Sequence, residues 1–86
     1  MEDLLAAARL ALIEAHDTCI QQRRDLLEYI HEAADLAAPG SLAGDLVTQA
    51  RQRVRALGEI ITNIRQCLGI LEATLVIVRL TLNPQQ

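Results

Sequence analysis

Ala38-Pro39-Gly40-Ser41 is the only strong break in this chain, and its reading decides the fold. Proline cannot continue a helix, and glycine frees the backbone for a turn. Ser41 or Asp45 can cap a helix that starts after the break. On either side of the break the apolar residues recur at three- and four-residue steps, the period of a helix with one buried face.

Before the break, Glu2 to about Leu36 reads as helix. Leu5, Leu12, Ile13, Cys19, Ile20, Leu27, Ile30 and Ala34 draw one apolar stripe, with acids on the opposite side. After it, Leu42 to about Leu71 reads as a second helix. Its stripe is Leu46, Val47, Ala50, Val54, Leu57, Ile61, Ile64, Leu68 and Leu71. A short turn at 37–41 makes two long helices antiparallel neighbours. The expected fold is therefore all-α: a long antiparallel helical hairpin in a single domain, 1–86. Two such stripes bury each other only in part, and pairing into a homodimeric four-helix bundle would complete the core.

The segment 72–82 is less clear. Thr74 to Leu82 is rich in β-branched residues and nearly alternates, as a strand does. With no partner strand elsewhere, it continues the second helix or forms a short C-terminal helix. Asn83-Pro84 ends it.

Composition bounds the function. Of 86 residues 51% are hydrophobic, which suits a folded chain rather than a disordered one. Tyr29 is the only aromatic, so the core is aliphatic. Cys19 and Cys67 do not make a disulfide framework. Met1–Arg9 lacks the basic start and apolar run of a secretory signal. Gly69–Leu82, the most apolar stretch, carries Glu72 and Arg79 and is shorter than the roughly 20 residues of a membrane span. A soluble, cytoplasmic protein without a membrane span is expected. Eight arginines and no lysine point to a GC-rich genome, or to a gene read in a second frame across another.

The net charge of −3 hides an asymmetry. Residues 1–36 hold eight acids against three arginines. Residues 46–70 hold Arg51, Arg53, Arg55 and Arg65 against Glu59 alone. Along the second helix, Gly44, Thr48, Arg51, Arg55, Gly58, Thr62, Arg65 and Gly69 also recur at three- and four-residue steps. This stripe is placed on the side away from the core. Its glycines admit a close approach, and its arginines offer charged forks for phosphate. Its threonine hydroxyls can bond phosphate or ribose 2′-hydroxyls. Duplex RNA is read by shape through such contacts. A single-stranded ligand would want stacking aromatics, which are missing. The opposing reading is a solvated face or a helix-packing seam.

Catalytic or metal chemistry finds little footing. His16, Cys19 and Cys67 could be three metal ligands, but the usual C-x₂-C or H-x₃-H pairing is missing, and cysteine as a small core hydrophobe is the simpler reading. His31 reads as solvated. The carboxylate pairs Glu28/Glu32 and Asp25/Glu28 read as outer-face charges. No cofactor, metal or catalytic residue is expected, and the chain is not read as an enzyme.

Leu10-Ala11-Leu12-Ile13 followed by Ile20-Gln21, then Pro39, Leu42 and Asp45-Leu46, resembles the small RNA-silencing suppressor of nodaviruses, encoded in a frame overlapping the polymerase gene. The likeness covers about residues 10–65. It implies a homodimeric four-helix bundle that lies along double-stranded RNA without sequence preference. Such a protein shields RNA from the host's dicing nuclease and silencing complex. On this reading the RNA-binding residues are Thr48, Arg51, Arg55, Thr62 and Arg65. Arg55 falls where the family has a basic contact. Thr62 stands where a later basic contact belongs, and Arg65 on the same face can take that role. Host silencing proteins are further partners the resemblance implies. The acidic first helix departs from the pattern. The competing reading is a helical protein–protein interaction module, such as a small adaptor or secretion chaperone, docking through Gly69–Leu82.

Overall fold

The computed structural model describes residues 2–82. They form helix α1 (Glu2–Ala33), a single 3₁₀ turn (Ala34–Leu36) and helix α2 (Leu42–Leu82). No strand occurs among the described residues. The molecule is a rod of 67 × 15 × 14 Å.

The break folds as its residues require. Ser41 N donates to the Ala38 carbonyl at 3.1 Å, closing a four-residue turn with Pro39 and Gly40 at its centre. Gly40 sits at φ 78°, the left-handed region where an L side chain is strained. Proline followed by a positive-φ glycine is the type II arrangement. Ser41 then caps α2: its Oγ accepts from Gly44 N at 3.0 Å and donates to the Ala38 carbonyl at 2.6 Å. Asp45 lies in the first turn, where its charge favours the helix dipole. Gly44 is sterically required here. A Cβ on it would lie 2.5 Å from the Ala38 carbonyl oxygen.

α1 lies along α2, and three polar contacts give the register. Glu2 meets Arg79, Arg9 meets Glu72, and His16 meets Arg65. Each step is seven residues up one helix and seven down the other. Seven residues are two turns, so each series stays on one side of its helix, as in coiled-coil packing.

The seam follows the same repeat. Val47, Ala50, Val54, Leu57, Ile61, Ile64, Leu68, Leu71, Leu75 and Val78 alternate steps of three and four, and all are buried or half-buried. Opposite them, Leu5, Leu12, Cys19, Leu26 and Ala33 recur every seven residues and are half-buried. Two positions differ from the sequence reading. Leu46 is 46% exposed and Leu27 42% exposed, so both fall outside the seam. Leu26 fills the place assigned to Leu27.

Among the described residues, the buried ones are Val47, Ala50, Leu57, Ile61 and Leu75, all on α2 and none of them sealed completely from solvent; α1 contributes none. Two helices alone make a thin core, because each has only one neighbour to cover it.

Of the two readings left open for 72–82, the structure takes continuation of the second helix. α2 runs unbroken for 41 residues through Leu82. The heptad pattern carries on through Leu71, Leu75 and Val78, so burial against α1 outweighs the β-branched propensity of 74–81. Thr74 and Thr81 hydroxyls donate to the Ile70 and Ile77 carbonyls at 2.8 Å, meeting their polar needs within the helix. The first helix likewise turns 3₁₀ after Ala33 rather than staying α-helical to Leu36. The Asn83-Pro84 stop lies outside the described residues.

By length and composition α2 is long and apolar enough to cross a membrane, with a mean hydropathy of 1.4 over an 18-residue window that is 11% buried. Gly69–Leu82 alone is too short to do so; the continuous helix is not.

Gly44→Ala should lower the thermal midpoint, with a loss of about 1–3 kcal/mol, because backbone rather than a flexible side chain must move. A Cβ added at Gly58 would meet nothing within 4 Å. Gly58→Ala should therefore raise stability by about 1 kcal/mol, the helical preference of alanine. Thermal melts followed by circular dichroism check both.

Candidate nucleic-acid interface

The register brings residues together that lie far apart in sequence. On α1 the column beside the apolar seam is Glu2, Arg9, His16, Arg23 and Ile30. On α2 the column facing it is Arg79, Glu72, Arg65, Gly58 and Arg51. The first three rungs are the observed contacts. Arg79 Nε donates to Glu2 at 2.8 Å, Arg9 Nε to Glu72 at 3.3 Å, and Arg65 Nε to His16 Nε2 at 3.1 Å. Continuing the seven-residue step puts Arg23 beside Gly58 and Ile30 beside Arg51.

Two surface hollows agree with the shared face. One is lined by Ala6, Arg9, Glu72, Val76 and Arg79. The other, by the turn, is lined by Ala34, Gly44, Thr48 and Arg51. Thr48, Arg55, Thr62, Gly69 and Val76 form the next column out on α2.

One broad face of the rod thus carries six of the eight arginines: Arg9, Arg23, Arg51, Arg55, Arg65 and Arg79. Five of them alternate between helices in the order Arg79, Arg9, Arg65, Arg23, Arg51. Each step along the axis is seven residues, about 10 Å. Within the ladder columns the acids are Glu2 and Glu72; Asp17 touches the ladder's His16, and Asp45 lines the hollow by the turn with Thr48 and Arg51. Glu14, Asp25, Glu28, Glu32 and Asp35 of α1 occupy columns that do not border this side of the seam.

The charge changes along the ladder. At the open end each arginine has a glutamate partner. In the middle, Arg65 has only His16. That imidazole accepts at Nε2, while its Nδ1 lies 3.4 Å from the Asp17 carboxylate; the neutral Nδ1–H tautomer satisfies both contacts. Toward the turn, Arg23, Arg51 and Arg55 form no ion pair among the described residues. Uncompensated positive charge therefore gathers around Gly58, between the middle of the rod and the turn.

All five residues assigned from sequence are exposed: Thr48, Arg51, Arg55, Thr62 and Arg65. Their stripe, which the sequence reading placed on the side of α2 away from the core, spans two columns. Its inner column, Arg51, Gly58 and Arg65, borders α1, which is why Arg65 reaches His16, while Gly44 packs on the turn at Ala38 and Ser41, and Thr48, Arg55 and Thr62 lie one column further out. The Thr48 and Thr62 hydroxyls donate to the Gly44 and Gly58 carbonyls at 3.0 and 3.1 Å. Their free lone pairs can still accept a hydrogen bond, so they suit a hydroxyl donor better than a phosphate. Arg9, Arg23 and Arg79 escaped the sequence reading. The signal existed in the seven-residue spacing of Arg9 and Arg23, but only the register shows which side it joins.

The metal candidates separate. Cys19 is half-buried in the α1 seam column, whereas Cys67 is exposed. Among the described residues no three His, Cys, Asp or Glu side chains gather in a way that could hold a metal ion. Tyr29 lines a hollow with Leu46, Gln49 and Arg53, on the side of the seam away from the arginine ladder.

No known family model, curated protein or solved structure matches this chain.

Proposed function

We propose that this chain binds double-stranded RNA without regard to sequence and shields it from dicing and silencing machinery, as a viral suppressor of RNA silencing working in the host cytoplasm. In this reading the two helices act as a hairpin, and two hairpins pair as a four-helix bundle. The arginine ladder is the observation that carries it: arginines at about 10 Å intervals down one face, unpaired toward the turn.

A regular row of guanidinium groups suits a regular row of phosphates, because each fork can donate two parallel hydrogen bonds to one phosphate. Duplex RNA adds 2′-hydroxyls in a wide, shallow minor groove, which threonine oxygens can accept from. Gly58 lets a backbone approach the helix between Arg23, Arg55 and Arg65. Tyr29 lies off this face, so base stacking plays no part and single strands are poor ligands. Contacts of this kind carry no base information, hence the indifference to sequence.

A second reading has its own support. Ile70, Val76, Ile77 and Leu80 are each more than half exposed on the last three turns of α2. A helical protein–protein module would dock there. It needs no arginine ladder, and nucleic acid would leave it indifferent.

A gel-shift with duplex RNA, single-stranded RNA and duplex DNA at fixed salt tests the proposal. Selective retardation of duplex RNA is expected; no shift of any of the three at micromolar protein refutes it. With Arg23, Arg51, Arg55 and Arg65 on this face free of carboxylate partners among the described residues, the logarithm of the binding constant should fall with the logarithm of salt at a slope of about −3 to −4 per chain. Arg55→Ala and Arg23→Ala should each flatten that slope by about 1 with helicity unchanged. Glu72→Gln frees Arg9 and should steepen it, while changing stability by less than about 1 kcal/mol, because the ion pair it breaks is half-exposed. Gly58→Ala, though stabilising, should weaken RNA binding.

A further inference from the structure

The two broad faces of the rod differ in kind. Opposite the arginine ladder, α2 presents Leu46 and Ile60 in one column and Ile70 and Ile77 in the next, at 46%, 44%, 69% and 62% exposure. α1 presents Ala15 and Tyr29 beside them. Among the described residues, the charges on this face are Arg53 on α2 and Asp25 and Glu32 on α1. Large apolar side chains at helical spacing, flanked by small ones, have the make-up of an interface core.

We infer that this face is the seam through which a second copy of the chain docks, leaving both arginine ladders in solvent. The inference rests on the pairing proposed above and not on RNA binding.

Surface area argues for a second copy. The chain exposes 6591 Å². A compact monomer of its mass exposes about 5,000 Å². The excess of roughly 1,500 Å² exceeds the ~800 Å² that each partner gives to a standard protein interface. A rod this thin reaches an ordinary surface-to-volume ratio only when something long covers one side, and a second rod of equal length does so.

Charge decides which side. Packing the ladder face inward would desolvate six arginines, of which only Arg9 and Arg79 are paired with a carboxylate among the described residues, and like charges would meet their own copies across a two-fold axis. The opposite face has one cation on α2 and two anions on α1. Arg53, Asp25 and Glu32 all lie toward the turn, so a two-fold axis along the rod brings Arg53 of one copy toward the acids of the other and makes the few charges self-complementary. Cys67, on the same column as Ile60, is exposed in the single chain and serves as a probe.

The test is the molar mass of the full chain by sedimentation, with circular dichroism as the folding control. At tens of micromolar the chain should run at twice its mass. Ile60→Glu and Ile77→Glu should run at the single-chain mass, and Arg55→Glu should remain paired. Alkylation of Cys67 in the unaltered protein should slow as concentration rises, which needs no substitution and so survives a variant that fails to fold. A single-chain mass for the unaltered protein would overturn the inference. So would pairing that persists in both glutamate variants, loss of pairing in Arg55→Glu alone, or Cys67 reacting at the same rate at every concentration. A single-chain species that co-sediments with phosphatidylcholine vesicles would assign the face to a lipid surface instead. A paired protein that fails to shift duplex RNA would reject the RNA reading and leave this seam standing.

Discussion

Residues two turns apart on α1 meet residues two turns apart on α2: Glu2 with Arg79, Arg9 with Glu72, His16 with Arg65. The other features of this molecule depend on that register. It holds because α2 repeats its apolar residues at alternating steps of three and four from Val47 to Val78, and α1 answers with Leu5, Leu12, Cys19, Leu26 and Ala33. A shift by one residue would rotate the apolar column of α1 out of the seam. The polar column beside it, with Arg9, Arg23 and His16, is thereby held at the seam's edge, facing the one column of α2 that is itself rich in arginine.

The seam is long but shallow. Among the described residues, its five buried residues all belong to α2, and none of them is aromatic. An aliphatic two-helix seam removes little surface from water for the backbone entropy it must offset. The polar rungs add little, since exposed ion pairs contribute at most about 1 kcal/mol each. Their larger effect is on charge distribution: they neutralise the open end and leave the half nearer the turn cationic. Exposed apolar side chains occur at both ends, Leu36 and Leu42 beside the turn and Ile70, Val76, Ile77 and Leu80 at the open end. The two ends of the rod therefore differ in charge rather than in apolar exposure.

The glycines separate structural need from functional expectation. Gly40 and Gly44 serve the chain itself, one by its positive φ and the other by its contact with the Ala38 carbonyl. Gly58 and Gly69 have no neighbour within 4 Å of a would-be Cβ. In a helix interior each costs about 1 kcal/mol against alanine with no return inside the chain. Gly58 lies among the unpaired arginines, so whatever approaches the rod there gains room next to charge.

Much of this was legible from residues alone. The Pro39-Gly40 break, the helical period on both sides and the exposed stripe Thr48, Arg51, Arg55, Thr62 and Arg65 are local features. Local features are set by steric rules and a 3.6-residue period that can be counted along the chain. Where the stripe lies was not legible, because a period fixes which residues share a face and says nothing of what that face meets. The choice of Leu26 over Leu27, the unbroken α2 through Leu82, and the recruitment of Arg9, Arg23 and Arg79 to one side all depend on how α1 is rotated against α2. That rotation is decided by burial summed along the whole seam, a quantity that exists only once the two helices are packed together.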